Sequence, residues 1–341
     1  MKKLLIPLII IVIAVGLLLI SQRYSQFAMW YAAYIFPIFP HTMGRLFGLF
    51  PFSVFEIFFV LTPVALIFAV INIRRAGIYV LYAVSGLVLT FVLTAGINYN
   101  RESYADHIGI TVQESPVEEL VNLYLILLER AWLLHDQIDT DENGNFQLRR
   151  DGLYDYAIRS MHGLHERYGG LGTFFPRAKA PLLSRLILSN SNISGFFSPW
   201  TMEAHYNGDM PGQSIPFVIN HELAHFIGHM REDEANFIGY LASRDSESVC
   251  FQYSAVYVGL SYTLNALRRA VSLDLYMELF YMLPEQVKRD FAFARDYWRQ
   301  FEGPAADMQV RINDAYLRMN QQEDGVRSYG RMVDLLLAYY R

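Results

Sequence analysis

The sequence predicts an α-helical membrane segment of about three spans, followed by a mainly α, α+β globular domain. Three observations carry that reading: the distribution of charge, the length of the apolar runs near the start, and helical spacing of apolar residues afterwards. The chain has 341 residues, 53% of them hydrophobic and 18% charged. That is too apolar for a disordered or purely water-soluble chain. Residues 1–97 carry only Lys2, Lys3, Arg23, Arg45, Glu56, Arg74 and Arg75, whereas the remainder is charge-rich and acidic in balance. A boundary near 97–101 follows, with a membrane domain at 1–97 and a globular domain at 98–341.

Three apolar stretches, 4–22, 57–73 and 76–100, are uncharged and close to the ~20 residues that cross a bilayer as a helix. The first is long and has no small-x-small cleavage site after it, so a retained anchor is expected rather than a cleaved signal. Residues 24–52 hold Trp30, Tyr31, Tyr34, Phe36, Phe47 and Phe50, broken by Pro37, Pro40 and Pro51. Such aromatics favour the headgroup layer, so an interfacial or re-entrant aromatic loop is expected there. Lys2-Lys3 and Arg74-Arg75 fall on one side if the first two spans form a hairpin. That side is the cytoplasm by the positive-inside rule. The chain is then a multi-pass protein of the cell membrane with its globular domain extracytoplasmic.

In the globular part, 118–138 reads as a helix with Leu120, Tyr124, Leu127, Leu128 and Trp132 on one face, and with burial on more than one side. A second helix, 151–168, ends at Gly169-Gly170. The acidic turn at 139–145 begins like a calcium loop, but position twelve is Arg150 instead of a bidentate carboxylate, so it reads as a polar turn. Stretches 184–190 and 195–207 are the strand candidates. Helices are expected at 216–227, 232–243, 247–270, 273–282, 284–301, 306–319 and 329–341. The single cysteine, Cys250, excludes an internal disulfide and a cysteine-based zinc knuckle, and reads as a buried small residue. A net charge of −5 argues against nucleic acid as a partner.

The most informative segment is His221-Glu222-Leu223-Ala224-His225, an H-E-x-x-H spacing in an apolar helical run. Residues i and i+4 share a helix face, so both imidazoles can reach one metal ion. Glu222, one step round, is placed to act on water as general base without ligating. Gly228 can end this helix and fold a second one back across it, carrying a third ligand. Glu232 is the preferred ligand and Glu234 the alternative. Glu232 shares a face with Asn236 four residues on, and that amide can hydrogen-bond a ligating histidine in the second coordination shell. His229 reads as a turn histidine and His205 as a strand residue. Tyr253, Tyr257 and Tyr262 read mainly as core, with no sequence signal to choose an oxyanion donor among them.

His221-Glu222-x-x-His225 followed by Glu232-x-x-Ala235-Asn236 resembles the gluzincin class of zinc metallopeptidases. More specifically, the chain resembles a bacterial membrane family catalogued as domain of unknown function 3810. The resemblance is carried by Pro51-Phe52-Ser53-x-x-Glu56, Asn98-Tyr99-Asn100-Arg101, the 221–236 segment and Gly325-Val326-x-Ser328-Tyr329-Gly330. It implies a membrane-anchored, zincin-like fold and supplies no substrate. Phe226 and His229 depart from it, being bulkier and more basic than the resemblance leads one to expect. The resulting expectation is a zinc metallopeptidase holding one Zn2+ per chain and acting on a peptide or protein at the lipid bilayer. A non-catalytic zinc-stabilised binding or sensor module, and a zinc amidase acting on a non-peptide envelope substrate, use the same residues.

Overall fold

The computed structural model describes residues 2–320 and 331–341. The N-terminal part consists of α1 (Lys2–Arg23), α2 (Ser25–Tyr34), α3 (Arg45–Gly48), α4 (Val54–Ile71) and α5 (Ile73–Thr94). Three stretches are long and apolar enough to cross a membrane, Leu4–Arg23, Val54–Ile71 and Ala76–Asn100. They mark the chain as membrane-associated. The aromatic segment between the first two forms α2, a π turn over Pro40–Gly44 and α3. At ten residues, α2 extends about 15 Å, half the thickness of a bilayer core. Tyr34 and Leu49 are exposed, while Ala28, Tyr31 and Phe36 are buried.

The second apolar helix starts at Val54, earlier than its hydrophobicity suggests, because polar groups outside it cap its first turn. Ser53 Oγ accepts from Glu56 N, and the two Glu203 carboxylate oxygens accept from Val54 N at 3.0 Å and Phe55 N at 2.9 Å. These are the N–H groups that a helix start leaves without intrahelical partners. Glu203 is itself neutralised by Lys179, whose Nζ donates to it at 2.6 Å and to the Phe47 carbonyl at 2.8 Å. A buried ion pair thus fastens the globular part to the head of α4.

Beyond the buried 3-10 turn Gly96–Asn100 come α6 (Tyr104–His107), α7 (Val117–Leu134) and α8 (Leu153–Tyr168). The α7 stripe is Leu120, Leu123, Tyr124, Leu127, Leu128, Ala131 and Leu134, the repeat of a helix buried on one face only. This corrects the expected two-sided burial. Trp132 lies outside the stripe, half exposed, with its indole donating to the Met282 carbonyl. The acidic turn is held by Asp141, which accepts from the backbone N–H of Asn143 and Asn145.

Of the two strand candidates, the first is wrong. Ser184–Leu188 is a π turn followed by a 3-10 turn over Ser189–Ser191. The Asn190 amide bonds back to the carbonyls of Arg185 and Leu186, which favours a coil over an extended chain. The second candidate is a hairpin of β1 (Gly195–Ser198) and β2 (Glu203–Tyr206), paired antiparallel with Phe196 opposite His205. Ser198 Oγ accepts from Thr201 within the turn. Lys179 bridges the other side of β2, leaving β1 at the edge.

The remaining helices are α9 (Ile215–Phe226), α10 (Glu232–Arg244), α11 (Val249–Ala270), α12 (Leu273–Tyr281), α13 (Glu285–Arg299), α14 (Pro304–Met319) and α15 (Met332–Tyr340). One hydrophobic core runs from Ala14, Ala28 and Phe36 through α7, α9, α10 and α11 to Leu336. The apolar and charged parts of the chain therefore share their interior.

His205, as expected, is a strand residue. It lies fully buried with Nε2 2.8 Å from Ser53 Oγ and its ring stacked on Phe196 at 4.3 Å. Burial pushes its pKa down to about 4 against the opposing pull of Glu203. The folded state keeps it neutral, so the unfolded chain, with an ordinary histidine pKa near 6.5, takes up the proton first on acidification. Stability is then lost as pH falls from about 6.5 to about 4, by at most about 3 kcal/mol. Thermal unfolding in detergent should show this loss, and His205→Gln should flatten it. Equal slopes in the two proteins would remove His205 as its source.

Candidate metal centre

Every residue of α9 is buried. Asn220 donates to Ser243 Oγ at 2.9 Å, tying the helix to α10. Its C-terminus closes as a Schellman motif: Gly228 N donates to the His225 carbonyl and His229 N to the Ala224 carbonyl. Gly228 takes φ +93° there, and an added Cβ would meet the Phe36 ring at 2.9 Å. The reversal sends α10 back across α9. They pack tightly at Gly239, where a side chain would meet the His221 backbone at 3.0 Å.

That crossing brings Glu232 to the two histidines. Glu232 Oε2 lies 3.3 Å from His221 Nε2 and 3.6 Å from His225 Nε2, and the two imidazoles stand nearly perpendicular. One ligand atom from each residue falls within 4.8 Å of the others. A tetrahedral Zn2+ with bonds of about 2.0–2.1 Å holds its ligands roughly 3.3 Å apart, so the donor set fits that ion. The tautomer fits as well. His225 Nδ1 pairs with the His229 carbonyl at 2.7 Å, leaving Nε2 to face Glu232. His229 thus acts through its backbone, placed by the Gly228 turn.

Glu234 turns away from this group. It pairs with Arg231, lies 3.3 Å from His229 Nδ1 and accepts from Tyr104 N. Burial raises its pKa, opposed by Arg231 and Arg101. Asn236 lies beside His221, where it favours the charged ring, and its amide reaches Tyr262 Oη at 3.5 Å.

Burial would raise the Glu232 pKa, but His225 and His221 hold it far below the usual carboxylate range. Burial would likewise lower His225, yet Glu232 overrides it and lifts the imidazole to about 9. Burial lowers His221. Glu222 is pushed up to about 8, chiefly by burial, with His225 opposing. Its carboxylate faces Gly195 of β1, where an added Cβ would stand 2.5 Å from Oε1 and 2.8 Å from the His205 carbonyl. Only glycine fits there.

Some neighbours of the site escaped the sequence reading. Gly195 is one. Tyr316 is another, close enough to Glu232 to feel its charge, with its hydroxyl 2.9 Å from that of Tyr99; Tyr99 and Arg101, the latter beside Glu234, belong to a motif already singled out in the sequence. Among Tyr253, Tyr257 and Tyr262, Tyr253 donates to Asp290 Oδ2 and Tyr257 to the Asp290 carbonyl. Tyr262 alone of the three faces Glu232. Phe226 is buried against Gly44, Phe174 and Phe197, which accounts for its bulk. Cys250 is only half-buried, not buried as expected.

The chain belongs to the family described as "Protein of unknown function (DUF3810)", which matches over residues 31–337. No curated protein and no solved structure matches it. Two of the short motifs have distinct places: Ser53 and Glu56 lie where α4 joins the globular part, and Arg101 lies beside Glu234 of α10. The third, 325–330, lies outside the described residues.

Proposed function

We propose that the protein is a membrane-anchored zinc metallopeptidase with one Zn2+ held by His221, His225 and Glu232. The observation that carries the reading is the convergence of three buried donors beside a fourth group, Glu222, that does not join them. A structural zinc site is normally closed by four protein ligands, whereas a catalytic one uses three and keeps a position open. Bound there, Zn2+ would supply Lewis acidity, activating water and polarising a carbonyl.

The rest is done by the chain itself. Glu222 lies buried beside the three donors, where burial raises its affinity for a proton, and it is positioned to take a proton from water and return it to the departing amine. Gly195 leaves that carboxylate its space. The free edge of β1 offers backbone groups to an extended peptide. The His229 carbonyl orients the His225 imidazole, and Asn236 lies beside His221. The direct test is elemental analysis of the detergent-purified protein paired with cleavage of a peptide library. One zinc per chain and metal-dependent cleavage are expected; absence of zinc after reconstitution would end the proposal.

Lys2-Lys3 and Arg74-Arg75, at the two ends of the first hairpin, further support a globular half outside the cell after three membrane crossings. A cysteine introduced by Glu142→Cys in a Cys250→Ser background should react with a membrane-impermeant maleimide in intact cells. Reaction only after lysis would reverse the orientation.

A further inference from the structure

We propose that the edge of the globular half formed by Leu182, Leu186 and Trp200 is seated in the lipid layer, and that the apolar groove beneath it binds a lipid acyl chain. This rests on reading α4 and α5 as membrane spans. Glu56, in the first turn of α4, accepts from Leu182 N at 2.9 Å and Leu183 N at 2.7 Å. The 181–188 loop is thereby bolted to the head of a span. On it, Leu182 is 88% exposed and Leu186 68% exposed, two large apolar side chains with no protein cover.

The hairpin turn reaches further. Trp200 Nε1 donates at 3.1 Å to the carbonyl of Leu87, and its ring stacks on Phe55. Leu87 lies seven residues before the end of α5 at Thr94, about 10 Å along the helix. An indole at that depth has no water to bond, and the backbone carbonyl supplies its partner.

Between this edge and α4 lies a groove of about 180 Å³, walled by Phe55 and Phe59 on one side and by Leu183, Ile187, Ile193 and Phe196 on the other. Its one polar residue is Glu56, whose carboxylate oxygens already accept the two loop N–H groups. A peptide lying there would bring N–H and C=O groups that these walls cannot satisfy, whereas a hydrocarbon chain brings none. Phe59 is half exposed on the span surface, so the groove is continuous with the face along which acyl chains lie. Its far wall, Phe196, directly follows Gly195. A chain in the groove therefore ends beside the strand that abuts Glu222.

The test uses the full chain in nanodiscs containing a phospholipid with a diazirine on its acyl chain, irradiated and mapped by mass spectrometry. Adducts are expected on peptides carrying Leu183, Ile187 or Phe196, and should disappear in Ile187→Trp, which fills the groove. A bimane attached through Leu186→Cys in a Cys250→Ser background keeps the seating testable should that variant misfold. Its fluorescence should be quenched by nitroxide-bearing acyl chains and spared by aqueous iodide. Adducts confined to the outer face of α4, or quenching by iodide alone, would overturn the proposal. So would protection of the groove by an added apolar peptide without lipid adducts. Zinc content measured on the same samples should be unchanged by Ile187→Trp, which separates this outcome from that of the metal centre.

Discussion

Replacing His221 or His225 with alanine is expected to empty the site of zinc while the helices persist. In the proposed centre each histidine is one of three protein donors brought together among the described residues. Loss of a group that merely orients a ligand typically costs about 10–100-fold in metal affinity, so loss of a ligand should cost more. Glu232→Gln should weaken binding strongly as well, because it removes the charge on which both imidazoles converge. Glu234→Gln should spare the metal, since Glu234 is engaged with Arg231, His229 and Tyr104 N. Competition against a fluorescent chelator, run on the monodisperse fraction of each variant, gives the order of affinities. Full zinc occupancy in both histidine variants would refute the ligand assignment, and a stronger effect at Glu234 than at Glu232 would move the third ligand.

What the sequence made legible here is what depends on local helical phase. His221 and His225 share a face because they are four apart, and Glu232 and Asn236 repeat that relation on α10. Gly228 announces the turn between the two helices, because few other residues take its backbone conformation without strain. The apolar helices were equally plain. The residues that escaped notice are those whose partners lie far along the chain. Nothing near Glu203 in sequence hints that it caps a helix beginning at Val54, and nothing near Tyr99 points to Tyr316. Gly195 looks like any strand-end glycine until Glu222 is placed against it. The mistaken strand at 184–190 has a similar origin. A short apolar run carries no reliable period, and here the Asn190 amide and the anchoring of the loop on Glu56 decided for a coil.

The last expected result separates chemistry from binding. Glu222→Gln keeps the shape of a buried side chain and removes its ability to accept a proton. The carboxylate contacts neither Gly195 nor its other neighbours through a bond that glutamine would sever, and Oε2 has no hydrogen-bond partner among the described residues. Folding and zinc content should therefore remain close to wild type. Turnover of any peptide the wild type cleaves should fall by about 10²–10⁴-fold or more, the usual contribution of a positioned proton-transfer group. With the Glu222 pKa pushed up to about 8, its surroundings hold the proton more tightly than water would hold it on a free carboxylate. That makes it a stronger base once the proton is lost. Added zinc should partly restore a histidine variant, whose defect is loss of the ion, and should do nothing for Glu222→Gln, whose ion is already in place. If wild type and Glu222→Gln bind zinc equally and behave alike in every cleavage assay, the centre has no hydrolytic role. The three buried donors then serve to hold the crossing of α9 and α10 together.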